Sequence, residues 1–330
     1  PLMIVEIHPI DPDSAMVVWE WHLWDHLIQD VDSTLINYGQ INDHPELIDI
    51  NIGQFTNPNG GDWLHTNAIS FNPSLDQIVF SSRHFDEIFI IDHSTTMEEA
   101  ASHEGGNSGS GGDLLYRWGN PINYGRGTID NQMLNAQHGV NWISDNMQGE
   151  GNLIIFNNNP TDTTGLDNTI GNSRVLEIIT PINSVGTYDI VQDSSYGPSN
   201  YHWFYGGDNT FYSHFQSGVF RLNNGNSFIT VSQEKYMFEI SSNGDIVWEY
   251  NFENVPGHPG NTARAKKYEL NYLDTIIGDL TSDHLINIYD LIKTINLIIE
   301  SQYHEKADHN YDGSINNLDL EILINHIMSQ

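Results

Sequence analysis

Residues 217–250 read Ser217-Gly-Val-Phe-Arg-Leu-Asn-Asn-Gly-Asn-Ser-Phe-Ile-Thr-Val-Ser-Gln-Glu-Lys-Tyr-Met-Phe-Glu-Ile-Ser-Ser-Asn-Gly-Asp-Ile-Val-Trp-Glu-Tyr250. Four apolar or aromatic runs of five or six residues (217–222, 226–230, 236–240 and 245–250) are separated by Asn, Gly and Ser turns. That pattern predicts four short antiparallel strands. The plan recurs upstream. One copy runs His65–Phe71, Gln77–Phe80, Glu87–Ile91 and Asp113–Trp118. Another runs His138–Ile143, Asn152–Phe156, Arg174–Ile178 and Thr187–Val191. Units of four strands closing on a Gly-Asp-Ile-Val-Trp-like outer strand describe blades of a β-propeller. Residues 3–7 and 15–21 supply the last two strands of an earlier blade. The expected class is all-β, a propeller over residues 1–274, followed by a small helical domain over 275–330. About three and a half blades are legible where propellers close with four to eight. The chain also opens on Pro1 directly into a strand-like run, so preceding blades are expected to be missing from this sequence.

Composition narrows the setting. Forty-four acids against eleven bases give a formal charge of −33 over 330 residues. Such a surface repels nucleic acid and anionic membranes, so neither is an expected partner. The chain has no cysteine, which excludes disulfides and a thiol nucleophile. No run approaches the roughly twenty apolar residues of a membrane span. The Gly-rich tract 105–112 lacks the Gly-Lys-Ser ending of a phosphate loop and reads as a flexible crossover.

Residues 279–330 carry a duplicated loop. Asp308, Asn310, Asp312, Asn316 and Asp319 place oxygens at loop positions 1, 3, 5, 9 and 12, with Gly313 at position 6. Asp279, Thr281, Asp283, Asn287 and Asp290 repeat the spacing 29 residues earlier, with His284 in place of the glycine. Six to eight oxygens around a sharp turn suit Ca²⁺. Two structural calcium sites are expected, the first weaker. Each loop leads into an apolar helical run, 291–299 and 320–327. This duplicated loop-helix resembles a type I dockerin. The resemblance implies an extracellular or cell-surface protein whose tail meets a cohesin-like or other surface partner, or associates with itself.

Histidines are the chemical signal in the β region. His65 and His138 stand at the start of first strands, and His214 precedes the third by three residues. First strands line a propeller axis, so these side chains would converge there. A second acidic-histidine run, Trp19-Glu-Trp-His-Leu-Trp-Asp-His26, offers Glu20, His22, Asp25 and His26 to a metal. Its alternation says strand, followed by a loop bringing Asp25 and His26 to the pocket rim. The cluster Arg264-Ala-Lys-Lys-Tyr268 reads as a surface segment.

Asp62-Trp-Leu-His-Thr-Asn-Ala68 with Ser81-Ser-Arg-His84, Gln137-His138 with 151–157 and Ser173-Arg-Val-Leu-Glu177, and Leu222-Asn-Asn-Gly-Asn-Ser-Phe-Ile229 together resemble the bacterial aryl-sulfate sulfotransferases. The resemblance spans roughly 15–270. It implies a six-bladed propeller that moves a sulfuryl group from a phenolic sulfate ester to another phenol through a histidine intermediate. It assigns the catalytic positions to His65, His138, Arg174 and His214. Two departures stand out. The turn Phe156-Asn-Asn-Asn-Pro160 lacks the arginine the family pattern expects, leaving Arg174 as the nearest. Ser217 stands about where the family places its nucleophilic histidine. A second reading therefore stays open: a non-catalytic extracellular propeller serving adhesion, matrix or scaffold roles.

Overall fold

The computed structural model of the chain describes residues 2–11, 13–52, 61–159, 172–207, 210–252, 262–268, 277–281, 283 and 285–328. The chain divides into two compact units, Pro1–Lys267 and Tyr268–Gln330.

In the first unit, β1 (Met3–Asp11) and β2 (Ser14–His22) form a hairpin, and β3 (Leu27–Ile28) and β4 (Ile48–Asp49) a short parallel pair. Three four-stranded antiparallel sheets follow among the described residues. The first is β5 (Thr66–Asn72), β6 (Gln77–Ser82), β7 (Glu87–Asp92) and, after helix α1 (Met97–Ala100), β8 (Leu114–Trp118). The second is β9 (His138–Trp142), β10 (Leu153–Asn157), β11 (Arg174–Ile178) and β12 (Trp203–Gly206). The third is β13 (Gly218–Arg221), β14 (Ser227–Val231), β15 (Tyr236–Ile240) and β16 (Ile246–Asn251). The unit is all-β with propeller-like sheets.

The outer strand of the second sheet is not where the sequence pattern put it. Thr187–Val191 contributes one isolated bridge, Ile182 to Tyr188, and Trp203–Gly206 pairs with β11 instead. Tyr188 is buried in the layer between the first two sheets, with its hydroxyl donated to Gln77 Oε1 at 2.7 Å. Its apolar run serves packing rather than pairing, a distinction that period-two patterning does not make.

Core layers lie between sheets. In β6, Val79 packs with Val140, Leu153 and Leu176 of the second sheet, while Ile78 and Phe80 pack with Trp19 and Trp21 of the hairpin. In β10, Leu153 and Ile155 face the first sheet, and Ile154 and Phe156 face Val219, Ile229 and Phe238 of the third. Both faces of these middle strands are buried, so they read as unbroken apolar runs. At about 25 cal/mol per Å², such aliphatic and aromatic burial dominates the fold.

First strands of neighbouring sheets are stitched by asparagines. Asn67 Nδ2 donates to the Gln137 carbonyl at 2.7 Å, and Asn141 Nδ2 to the Val219 carbonyl at 2.9 Å. These bonds bring the starts of β5, β9 and β13 together.

The Gly-rich tract is packed rather than a loose crossover. A Cβ at Gly111 would sit 2.3 Å from the Ser102 carbonyl, and one at Gly112 would sit 2.1 Å from that of Ala100. These glycines are required by close approach of backbone to backbone.

The second unit pairs helices α2 (Ile288–Glu300) and α3 (Asn317–Met328), each opened by one of the repeated loops. No helix among the described residues is long and apolar enough to cross a membrane.

Candidate active site

His138 is the best-defined member of the histidine set. It opens β9, is 6% exposed, and has every ring nitrogen engaged. Asn158 Nδ2 donates to the carbonyls of Ser213 at 2.7 Å and Gln216 at 3.1 Å, which turns its Oδ1 toward the imidazole. His138 Nδ1 therefore carries the proton, donating to Asn158 Oδ1 at 2.8 Å and to the Ala136 carbonyl at 3.0 Å. Nε2 carries the lone pair and accepts the Gln216 N–H at 3.1 Å. Burial pushes the ring down to about 4, against the two hydrogen bonds and with help from the charges of Arg83 and His65. At neutral pH it is an uncharged imidazole with a defined tautomer.

His65 lies just before β5 in a left-handed conformation (φ 51°) and is half-exposed. Its Nδ1 pairs with Asp62, whose carboxyl is held below its usual range chiefly by that bond. The His84 ring lies 5.0 Å from that of His65, and His84 Nδ1 donates to the Asp62 carbonyl at 2.9 Å. The Arg83 N–H reaches the His65 carbonyl at 3.2 Å, so Arg83, His84 and His65 form one knot. Arg83 is close enough for its charge to act on both His138 and Asp86. Gln137 binds the two halves, donating from Nε2 to the Ser82 carbonyl at 2.9 Å and the Glu87 carbonyl at 2.8 Å.

The sequence reading did not single out Arg83 or Asp86 as site residues, although Arg83 stands inside the Ser81–His84 motif. Asp86 is partly buried and pushed up to about 6 by desolvation, against a hydrogen bond from Ala136 and the charge of Arg83.

His214 and Arg174 sit differently. His214 is exposed; its N–H donates to Gln233 Oε1 at 3.2 Å and its ring meets Phe215 at 4.5 Å. It touches the site through its own loop, whose Gln216 holds His138. Ser217 is buried, with its N–H donated to the Ala263 carbonyl at 2.7 Å. Arg174, in β11, donates from Nη1 to the Tyr201 hydroxyl at 3.2 Å and lies 4.7 Å over the Phe204 ring. Those contacts belong to the second sheet's outer strand and the segment before it. The Arg264 side chain lies along β13, whose Gly218 would place a Cβ 3.2 Å from it.

The acidic-histidine run at 20–26 does not assemble as one group. His22 Nε2 lies 3.5 Å from Glu20, whereas His26 is fully buried and pairs with Asp113.

In the second unit, the last carboxylate of each loop plays the same part. Asp290 Oδ1 accepts the Leu280 and Thr281 N–H groups at 2.8 Å, and Asp319 Oδ1 accepts that of His309 at 2.8 Å. Burial acts against the Asp290 charge, but the N–H bonds from Asn287, Thr281 and Leu280 hold its carboxyl below the usual range. Oxygens of Asp279, Asp283 and Asp290 lie within 4.8 Å of one another. Asp308 accepts the N–H of Asp312 at 3.0 Å and of Gly313 at 2.9 Å. Gly313 adopts φ 82°, the left-handed turn expected there. His284, in the matching place of the first loop, lies outside the described residues. Converging carboxylates and amide oxygens form an all-oxygen donor set that fits a hard cation.

No curated protein matches the chain. Similar solved structures include a protein of unknown function from Bacteroides caccae, at 12% identity and TM-score 0.30 over 56% of this chain and 45% of that one. Virginiamycin B lyase from Staphylococcus aureus is similar at 12% identity and TM-score 0.30, over 58% of this chain and 42% of the lyase. The chain thus spans less than half the length of these structures. Residues 277–328 match the type I dockerin domain, and residues 3–253 match arylsulfotransferase (ASST). The chain belongs to the arylsulfotransferase family and carries a type I dockerin domain at its C-terminal end.

Proposed function

We propose that residues 1–274 transfer a sulfuryl group between phenolic compounds through a histidine intermediate. We propose further that the module at 275–330 displays or anchors this activity outside the cell. The observation that carries the reading is the neutral His138 imidazole, held in one tautomer beside His65 and Arg83. In the proposed step, Nε2 attacks the sulfur of a phenolic sulfate ester. The sulfur–oxygen bond to the leaving phenol breaks, and the phenolate takes a proton from the histidine pair His65–His84. The acceptor phenol then attacks sulfur, the N–S bond breaks, and the acceptor's proton returns to the pair. Arg83 supplies the positive charge that the equatorial sulfuryl oxygens require. In this reading it takes over the role of the missing second-blade arginine. Arg174 and His214 serve as outer groups of the same site. Attack requires the Gln216 N–H to release Nε2.

That last requirement favours a second reading. An Nε2 capped by a backbone amide suits a propeller that keeps the fold without the chemistry and serves adhesion, matrix or scaffold roles. Turnover of 4-nitrophenyl sulfate with phenol as acceptor decides between them. Acceptor-dependent nitrophenol release that is lost in His138→Ala supports transfer. No release by the folded, calcium-loaded chain supports the second reading.

For the C-terminal module, type I dockerin membership supports calcium binding, an extracellular or cell-surface setting and a cohesin-type partner. Both loops are proposed to hold Ca²⁺: Asp308, Asn310, Asp312, Asn316 and Asp319 tightly, and Asp279, Thr281, Asp283, Asn287 and Asp290 more weakly. Exposed Ile288, Tyr289, Ile292, Leu318 and Ile322 on the two helices give a partner, or a second copy, an apolar face.

A further inference from the structure

We propose that His26, His103 and Asp113 form a binding site for a divalent transition ion of the zinc class, apart from the histidine set described above and from the calcium loops. Candidate ligand atoms of the three residues lie within 4.8 Å of one another. His26 is fully buried, with its ring stacked parallel to Trp21 at 5.3 Å. Its Nε2 lies 2.9 Å from the Ala100 carbonyl, an acceptor only, so Nε2 carries a proton. Its Nδ1 lies 2.8 Å from Asp113 Oδ1. His103 Nδ1 meets the same carboxylate at 2.8 and 3.0 Å. In a neutral His26, the Nδ1 lone pair would face carboxylate oxygen directly. Something positive must therefore lie between them, either a proton or a metal ion.

The surroundings fit the ion. A ring N–H donated to a backbone carbonyl is the usual way a metal-bound histidine is oriented. Gly112 permits that bond, since a Cβ there would sit 2.6 Å from His26 Nε2. Trp21 Nε1 donates to the Gly112 carbonyl at 2.7 Å, which fixes the same corner. Two nitrogens and a carboxylate match borderline ions such as Zn²⁺, whereas Ca²⁺ and Mg²⁺ take oxygen. The observed 2.8–3.0 Å separations need to open by only a few tenths of an ångström to place ligands about 2.0–2.1 Å from zinc. The His103 side chain is 61% exposed, which gives the ion an entry path and leaves its fourth position to solvent. The bound ion would staple the turn after β2 to the start of β8.

Co²⁺ and Zn²⁺ titration of the full chain, with Ca²⁺ present to fill the C-terminal loops, tests this. One equivalent of Co²⁺ should give visible absorption of a low-symmetry N/O site. Zn²⁺ at about 100-fold excess over its Kd should raise the first unit's melting temperature by about 5 °C. His103→Ala, at an exposed position, should weaken binding about 100-fold. His84→Ala, in the other histidine cluster, should leave it unchanged. Absent absorption and an unchanged melting temperature in the wild-type chain would overturn the proposal and assign the position to a proton. Equal binding by His103→Ala would overturn it as well.

Discussion

Asp86 and Ala136 are joined by a hydrogen bond of 2.6 Å, the carboxylate accepting the peptide N–H, and the Ala136 carbonyl accepts in turn from His138 Nδ1 at 3.0 Å. The backbone of one residue thus connects a partly buried acid to the imidazole that the proposed chemistry uses. Ala136 adopts φ 54°, a conformation that non-glycine residues hold only under constraint, and Asp86 supplies that constraint.

The first prediction concerns pH. Asp86 is raised to about 6, so its contribution to stability is present below its unfolded value and is lost as pH rises through 6. His138 is lowered to about 4, so its contribution is present above 6.5 and is lost as pH falls through 4. At about 1.4 kcal/mol per pH unit, each amounts to roughly 3 kcal/mol. The two slopes oppose one another between pH 4 and 6. Relative to wild type, Asp86→Asn should gain stability as pH rises across that window, and His138→Asn should lose it. Urea unfolding at pH 4, 5, 6 and 7 measures both. Parallel curves for wild type and both variants would refute the assignment.

Arg83 is predicted to matter more for transfer than Arg174. Arg83→Gln should lower kcat/KM for 4-nitrophenyl sulfate by about 100-fold or more, the range seen when a charge-stabilising donor is removed. Arg174→Gln should leave turnover within a few-fold. It should cost about 1–2 kcal/mol of stability through loss of the Phe204 and Tyr201 contacts. Steady-state kinetics beside thermal melts separates the two, and the reverse order would restore Arg174 as the sulfate ligand.

The Arg117–Glu87 pair anchors the first sheet. Both side chains are fully buried, with Nε–Oε1 at 2.8 Å and Nη2–Oε2 at 2.6 Å, and Arg117 also donates to the Leu47 carbonyl at 3.0 Å. Removing one partner strands the other charge. Glu87→Gln should therefore destabilise the first unit by about 3–5 kcal/mol. Chemical denaturation of this variant, which touches none of the histidines, checks it; a loss under 1 kcal/mol would contradict the burial argument.

In protein free of transition ions, chelation of calcium should act on the second unit alone. Calcium at about 100 times its Kd stabilises by about 2.7 kcal/mol. EDTA should accordingly lower the melting transition of residues 279–328 and leave the larger transition in place. Asp308→Asn should weaken calcium affinity more than Asp279→Asn if the second loop is the tighter. Calorimetry with and without EDTA that shows identical transitions would exclude structural calcium.

Much of the fold was legible because blades bury both faces of their middle strands. That produces the short apolar runs at 77–82, 153–157 and 227–231 between turn residues, wherever those strands end up in space. The type I dockerin module was equally legible, since its repeated oxygen spacing lies within twelve consecutive residues. The histidine positions at 65 and 138 also followed from the sequence, as the repeat puts them at the starts of first strands. Tertiary structure alone decided what depends on partners far along the chain. It sent Tyr188 into the core and gave the outer edge to Trp203–Gly206, because burial against Gln77 and Tyr116 outweighs strand pairing. It also brought His26 to Asp113 across 87 residues and Gln216 to His138 across 78. A protonation state set by burial and by such distant donors has no local signature, so the chemistry of each histidine is written in the packing.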